Sequence, residues 1–378
     1  MSDNEYFGDA IERLEWDERK EEDTPYKRWT QFTRRTALTG GAAGLAAVIL
    51  EACGGSSGGT GTSAAASSGA ASSIFGVGGG YHFTLVNHVT TNSFFTPTQN
   101  AAADACKLLG CSYTWTGSST SNVSEMVNAI NSAVSAKVDG IGSCLIDPKA
   151  FNKPVQSSLS AGIPLVAYNA DEPQTGRLSY IGQDLFLSGQ EMGKRIAELV
   201  PSGDIALFIA TPGSANIQPR IDGAKDTLKS HPSITPHVVA TGAAQNNELT
   251  VVNSWAQGHP TAKGMFAVDA GSTQAVAQTI QKQGLRAKGW KGGGYDLLPI
   301  IQQLLAAGEI DFTIDQQPYL QGFYPILQLY MYKASQALTG IADVNTGLKF
   351  LDKTTVVPYN STKSRYEGSS TTPGVQKS

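Results

Sequence analysis

From His82 onward the apolar positions follow two alternating rhythms. Short runs rich in β-branched and aromatic residues, Phe83-Thr-Leu-Val-Asn-His-Val, Ser112-Tyr-Thr-Trp-Thr, Gly140-Ile-Gly-Ser-Cys-Leu-Ile and Pro164-Leu-Val-Ala-Tyr, read as buried strands. Between them, residues 98–109, 121–136 and 151–161 carry apolar side chains at helical spacing. Strand followed by helix, repeated, predicts a parallel sheet covered by helices on both faces. A fresh series opens at Asp204-Ile-Ala-Leu-Phe-Ile-Ala and continues through Pro236-His-Val-Val-Ala-Thr and Gly264-Met-Phe-Ala-Val to Gly289-Trp-Lys-Gly-Gly-Gly-Tyr. The fold class expected is therefore α/β, with two doubly wound lobes.

The chain before His82 has a different texture. Residues 37–50 form an apolar, charge-free run behind Arg34 and Arg35, too short to span a bilayer and of the length of a signal-peptide core. The run closes on Leu50-Glu51-Ala52-Cys53, which resembles a lipobox, the motif whose cysteine takes a diacylglyceryl group and becomes the first residue of the mature chain. Three positions depart from such signals: Glu51 replaces a small residue, and Ala37 and Thr39 stand where twin-arginine signals carry Phe and Lys. A short buried helix is the competing reading, but the Gly-Gly-Ser-Ser-Gly-Gly that follows offers it nothing to pack against. Residues 1–53 are accordingly expected to be a twin-arginine lipoprotein signal with an acidic leading segment. Residues 54–80 are expected to be a flexible Gly/Ser/Ala linker, too poor in apolar side chains to offset chain entropy, and 362–378 a disordered tail.

Removing these ends leaves roughly 300 residues, enough for two lobes. With 28 basic and 32 acidic residues in 378, the net charge of −4 offers no basic stripe for phosphates, so no nucleic-acid partner is expected. Four cysteines occur. Apart from Cys53, none lies in a CxxC or at metal-ligand spacing, and no metal site or cofactor is expected. Cys106 falls near the end of a predicted helix and Cys111 at the start of the next strand, an arrangement that suits either a short-loop disulfide or two small buried thiols.

In doubly wound sheets, ligands meet the loops beyond the carboxyl ends of the strands. Those are the places where this chain sets its polar and aromatic exceptions: Thr91 to Phe95, Asn169 to Glu172, Thr211 to Arg220, Asp269, Asp296 and Asp315 to Gln317. In this order, together with Gly182-Gln-Asp-Leu-Phe-Leu-Ser-Gly-Gln-Glu-Met-Gly193 and Thr313-Ile-Asp-Gln316-Gln-Pro-Tyr-Leu-Gln-Gly322, they resemble the type I periplasmic sugar-binding proteins that feed ABC importers. The resemblance covers about residues 83–338. It implies ligand contacts from Asn92, Phe94, Phe95 and Asn169 in one lobe and from Arg220, Asp269 and Asp296 in the other, with Gln316 beside the hinge. It further implies three crossings between lobes near Gln183, Gln316 and Ala342, giving 81–183 with 317–342 as lobe 1 and 184–316 with 343–361 as lobe 2. The implied protein is lipid-anchored at Cys53 on the outer face of the cytoplasmic membrane, and hands a monosaccharide or polyol to a permease without breaking a bond.

The residue chemistry agrees with that implication. A sugar has apolar faces edged by hydroxyls, each a donor and an acceptor, so its site needs aromatic rings together with carboxylate, amide and guanidinium edges. Taken singly, each residue has a plainer reading: Phe94 and Phe95 as core residues at a helix start, Asp269 and Asp296 as helix caps, Arg220 as one half of a surface ion pair. Their joint placement at strand ends favours the site. Where ribose binders have Asp-Arg after the fourth strand this chain has Asn169-Ala170, and Gly242 to Asn247 lacks the aromatic ring that relatives place there. Those departures imply a ligand bulkier or more hydroxylated than ribose, such as a hexose, an inositol or a sugar alcohol. A nucleoside receptor shares fold and compartment. A LacI-type regulator shares the two lobes but needs a helix-turn-helix segment that 1–33 does not spell. An enzyme of the hydrolase, dinucleotide or P-loop type is disfavoured, since no G-x-S-x-G, G-x-G-x-x-G or Walker loop stands at a strand end.

Overall fold

The computed structural model describes residues 80–359. Arg34, Arg35, Cys53, the linker up to residue 79 and the tail at 362–378 lie outside them. The described chain forms two six-stranded sheets. The first is built from β1 (His82–Asn87), β2 (Ser112–Gly117), β3 (Gly140–Ser143), β4 (Leu165–Tyr168), β5 (Tyr180–Gly182) and β11 (Val344–Asn345), in the order β11-β5-β4-β3-β1-β2. The second comprises β6 (Gly203–Ile209), β7 (Ile234–Ala240), β8 (Gly264–Ala267), β9 (Lys291–Tyr295), β10 (Phe312–Asp315) and β12 (Lys349–Leu351), in the order β12-β10-β9-β8-β6-β7. All pairings are parallel except β10 with β12.

Parallel strands are buried on both faces, which explains the continuous apolar runs. In the first lobe α1 (Thr96–Leu109), α2 (Val123–Ser135) and α3 (Asn152–Ser160) cover the sheet, and Phe83, Leu85, Ile141 and Leu165 are fully buried between layers. In the second, α4 (Leu185–Leu199) and α5 (Gln218–Leu228) pack on one face over Ile205, Leu207 and Phe266. The remaining helices of that lobe, α6 (Gln245–Gly258), α7 (Ala270–Lys282) and α8 (Pro299–Ala306), cover Ala206, Phe208 and Met265 on the other.

Although α9 (Leu320–Ser335) follows a second-lobe strand, it packs on α1, β4 and β5 of the first lobe. The chain therefore changes lobe between β5 and α4, between β10 and α9, and between β11 and β12. The last change falls at residues 346–348, rather than at Ala342, because Val344 and Asn345 add a parallel strand to β5 before the chain leaves. Polar side chains tie the three crossings together. Gln183 Nε2 donates to the Gly347 carbonyl at 3.0 Å, Thr346 Oγ1 donates to the Gln316 carbonyl at 2.8 Å, and Gln321 Nε2 donates to that same carbonyl at 3.0 Å.

Candidate functional site

The carboxyl ends of both sheets face a cleft of about 340 Å³ between the lobes. The volume suits a small polar ligand. One wall is supplied by the loops after β1 and β2, including Asn92 and Ser119. The other comes from the loops after β6, β7 and β8, including Thr211, Gln245 and Asp269. The lobes touch across it: Ala215 N donates to the Ile146 carbonyl at 3.0 Å, and Asn216 Nδ2 lies 3.3 Å from His88 Nε2.

Two strand ends share an unusual backbone. Asn169, just past β4, and Asp296, just past β9, adopt left-handed φ of 63° and 77°, a conformation that Asn and Asp tolerate better than other side chains with a Cβ. The reversal turns the chain off the sheet and brings both side chains to the hinge. There the Gln316 amide joins them: its Nε2 donates to Asp296 Oδ1 at 2.6 Å, while its Oε1 accepts from Asn169 Nδ2 at 3.5 Å. Gln321 Oε1 accepts a second bond from Asn169 Nδ2 at 3.1 Å. Asp296 is 4 % exposed, and burial pushes its carboxyl from 3.8 up to about 7, against the opposing pull of Arg220 and the Gln316 bond.

Arg220, only 2 % exposed, sits in the first turn of α5 with its guanidinium 4.1 Å above the centre of the Tyr295 ring. Nη1 donates to the Val268 carbonyl at 2.9 Å and Nη2 to Gln183 Oε1 at 3.4 Å. Its bonds thus go to a carbonyl and an amide, not to a carboxylate. The position depends on α4 and α5 approaching closely, which Gly189 and Gly223 permit. A Cβ on Gly189 would stand 2.2 Å from the Arg220 carbonyl oxygen, and one on Gly223 2.1 Å from that of Phe186.

Asp269 caps α7, accepting from Ser272 N at 2.9 Å, while its second oxygen accepts from Ala210 N at 2.9 Å. The cap reading and the site reading therefore both hold for this residue, since it also lines the cleft. Burial raises its carboxyl, opposed by those two N–H donors. Asn92 caps the 3₁₀ turn Ser93–Phe95 by accepting from Phe94 N at 2.9 Å, and it too lines the cleft. Phe94 and Phe95 pack edge to face behind that wall, with ring centroids 4.7 Å apart, and Phe95 continues into His88 and Trp115. Their contacts are those of core residues supporting the turn.

Asn169, Asp296 and Gln316 thus form one network, Arg220 stands beside it through Gln183, and Asn92 and Asp269 face each other across the cleft. Asp315 points the other way, accepting from Gln317 N at 2.7 Å and from the Tyr359 hydroxyl at 3.0 Å. Three buried polar atoms in this region have no hydrogen-bond partner: Asn169 Oδ1, Arg220 Nε and His88 Nδ1. Burial also holds the His88 ring neutral, lowering it from 6.5 to about 4.

Several contributors escaped the sequence reading. Gln183 was placed only at a lobe crossing and Gln321 only inside a motif stretch, neither with a part in the site. Tyr295 was read as the end of a strand. In the loop without an aromatic ring, Asn247 turns back to the Thr241 carbonyl, leaving Ala243 and Gln245 on the cleft, followed by Glu248 from the first turn of α6. Among the described residues, no helix is long and apolar enough to cross a membrane, and no three His, Cys, Asp or Glu gather as a metal site.

Known proteins share this architecture. An ABC-transporter solute-binding protein from Burkholderia graminis C4D1M, solved in complex with D-arabinose, superposes with a TM-score of 0.68 at 26 % identity, covering 72 % of this chain and 95 % of that one. One from Agrobacterium vitis, bound to alpha-D-tagatopyranose, has the same fold, with a TM-score of 0.69 at 21 % identity over 76 % of this chain and 100 % of that one. In sequence, the chain is 50 % identical over 306 residues, 77 % of its own length and 75 % of the relative's, to the xylose/arabinose-binding protein XylF of Sulfolobus acidocaldarius. The periplasmic binding protein domain pattern matches residues 83–337. With that match reaching from β1 into the end of α9, the chain belongs to the periplasmic binding protein domain family.

Proposed function

We propose that this chain is the sugar-capturing component of an ABC importer and that its ligand is an aldopentose such as xylose or arabinose. The observation that carries the reading is the pair of buried, unpartnered polar atoms at the lobe crossings, Asn169 Oδ1 and Arg220 Nε, behind an interlobe cleft whose lining neither reaches, in a chain that is 50 % identical over 306 residues to a xylose/arabinose binder. A buried acceptor and a buried donor each cost free energy until a partner arrives, and sugar hydroxyls supply both kinds. Asn92, Asn169, Arg220, Asp269, Asp296 and Gln316 are assigned to the ligand, with Phe94 and Phe95 stiffening the first wall. The pentose replaces the bulkier ligand implied by the missing ring, because the amide of Asn247 is spent inside its own loop and Glu248 occupies the space behind it. No bond is broken. The closed, loaded form is what a membrane permease would recognise.

Titration calorimetry with D-xylose, L-arabinose, D-glucose, myo-inositol and adenosine tests the assignment. The two pentoses are expected to bind most tightly, whereas exclusive binding of adenosine would replace the reading with a nucleoside receptor. Export and anchoring belong to the same proposal. Arg34 and Arg35 support the twin-arginine route, and Cys53 supports lipidation on the outer face of the cytoplasmic membrane. Labelled fatty acid is expected to enter the wild-type chain and not Cys53→Ala; equal labelling of both removes Cys53 as the site.

A further inference from the structure

A second carboxyl lies against Asp269. Glu248, 4 % exposed, lines the cleft from α6, within hydrogen-bonding reach of the Asp269 carboxyl. It accepts from Ser272 Oγ at 3.4 Å, and that hydroxyl in turn lies 2.9 Å from Thr241 Oγ1. The room it occupies exists because residue 271 has no side chain. A Cβ on Gly271 would stand 2.0 Å from Glu248 Oε2. An acidic residue in the first turn of a helix ordinarily faces solvent; here the neighbouring helix is opened to receive it.

The charges around the pair do not balance it. From α7 the facing groups are Asp269 and Ser272, from the end of β7 Thr241, and from the opposite lobe His88, held neutral by burial. Among the described residues that line this cleft there is no lysine or arginine; the nearest cation is Arg220, which stands behind the lining and donates to the carbonyl of Val268, the residue before Asp269. Asp269 already accepts two backbone N–H bonds, which favour its ionised form. Two neighbouring carboxyls, neither of them in an ion pair with that arginine, do not both ionise at low cost.

We propose that Glu248 is a specificity-determining residue of the cleft that works as a carboxylic acid, sharing its proton with Asp269 and presenting both a donor and an acceptor to a sugar hydroxyl. An ionised pair could only accept. Sugar capture then depends on retaining that proton, and burial beside Asp269 raises the Glu248 carboxyl from 4.5 to about 8. The inference rests on the sugar-binding reading, and its test separates the two.

D-xylose is titrated into the full chain, Glu248→Gln and Gly271→Ala across pH 5 to 10, with circular dichroism checking the fold. For the wild type, the dissociation constant is expected to rise about tenfold per pH unit above roughly 8, beyond any step that Asp296, raised to about 7, adds at lower pH. Glu248→Gln, whose amide also offers a donor and an acceptor, is expected to bind about tenfold more weakly with the alkaline rise gone. Gly271→Ala, which displaces the carboxyl, is expected to weaken binding while remaining folded. An alkaline rise unchanged in Glu248→Gln overturns the proposal. The infrared carbonyl band of a protonated carboxyl supplies a sugar-free arm: at pH 7 the wild type minus Glu248→Gln difference spectrum should contain it, and its absence also overturns the proposal. Failure of the wild type to bind D-xylose at any pH, with that band present, sinks the pentose reading and leaves the shared proton standing.

Discussion

Arg220 and Asp296 are buried polar groups that the proposed function assigns to the ligand, Arg220 with an Nε that has no partner, and substitution tests that assignment directly. Arg220→Ala and Asp296→Ala are each expected to cost about 2–4 kcal/mol of sugar affinity, roughly 30- to 1000-fold, while the fold survives. Calorimetry checks this, and unchanged isotherms for both would move the site elsewhere. Asp315 supplies the internal control, because its oxygens are engaged by the Gln317 N–H and the Tyr359 hydroxyl on the far side of the hinge segment. Asp315→Asn is expected to lower the melting temperature and leave affinity within a few-fold. The site was legible in the sequence wherever a polar residue interrupts an apolar run at a strand end, as at Asn169, Asp269 and Asp296. Glu248 was not legible. A glutamate in the first turn of a polar helix reads as a solvated face, and only the missing side chain of Gly271, twenty-three residues later, makes it a wall of the cleft.

Among the elements, the strands were readable because a sheet covered on both faces demands unbroken apolar runs. Such runs leave a trace even in the glycine-rich β9. By contrast, β11 and β12 are two and three residues long and owe their existence to a neighbour's edge, so no local pattern announces them and the third crossing, expected near Ala342, falls a few residues later. The contact between α4 and α5 illustrates how packing sets the chemistry. Gly189→Ala drives a methyl group into the Arg220 backbone, and overpacking of this kind costs about 1–3 kcal/mol. Chemical denaturation is expected to show that loss. The same variant should bind sugar more weakly although residue 189 touches no ligand, since relief of the clash moves Arg220. Full affinity at reduced stability would mean that α5 yields without shifting its guanidinium.

At the scale of the whole molecule, two behaviours follow. Three crossings locked by Gln183, Gln316, Gln321 and Thr346 allow the lobes to rotate as rigid bodies, and a ligand gripping both walls favours closure by its differential contacts. Small-angle scattering is expected to give a smaller radius of gyration with saturating xylose than without. An unchanged profile would make the chain a static receptor. The second behaviour is a stability optimum on the acid side. Burial raises Asp296 to about 7, Asp315 to about 6 and Glu248 to about 8, each above its unfolded value. Their contribution is therefore complete below the unfolded values and is lost as pH rises through the folded ones. His88, lowered to about 4, and Asp352, lowered to about 2 by hydrogen bonds from Thr354 and Thr355, act in the opposite sense and lose theirs as pH falls. With three raised groups against one buried histidine above pH 4, the ligand-free melting temperature is expected to be highest at about pH 4 and to decline from there toward pH 9. A maximum at or above pH 8 would contradict this balance.

The paired corners at Asn169 and Asp296 carry one more consequence. Strands β1 to β5 and β6 to β10 are laid down in the same spatial order, and each fourth strand ends in a left-handed polar residue. The two lobes thus repeat one topology, and the Gln316 side chain bridges the two equivalent corners. A ligand lying there meets the same backbone turn twice, once bearing an amide and once a carboxyl. What tells a nearly symmetrical sugar ring which way round to sit must then come from the differences between the two corners, beginning with that one exchange of nitrogen for oxygen.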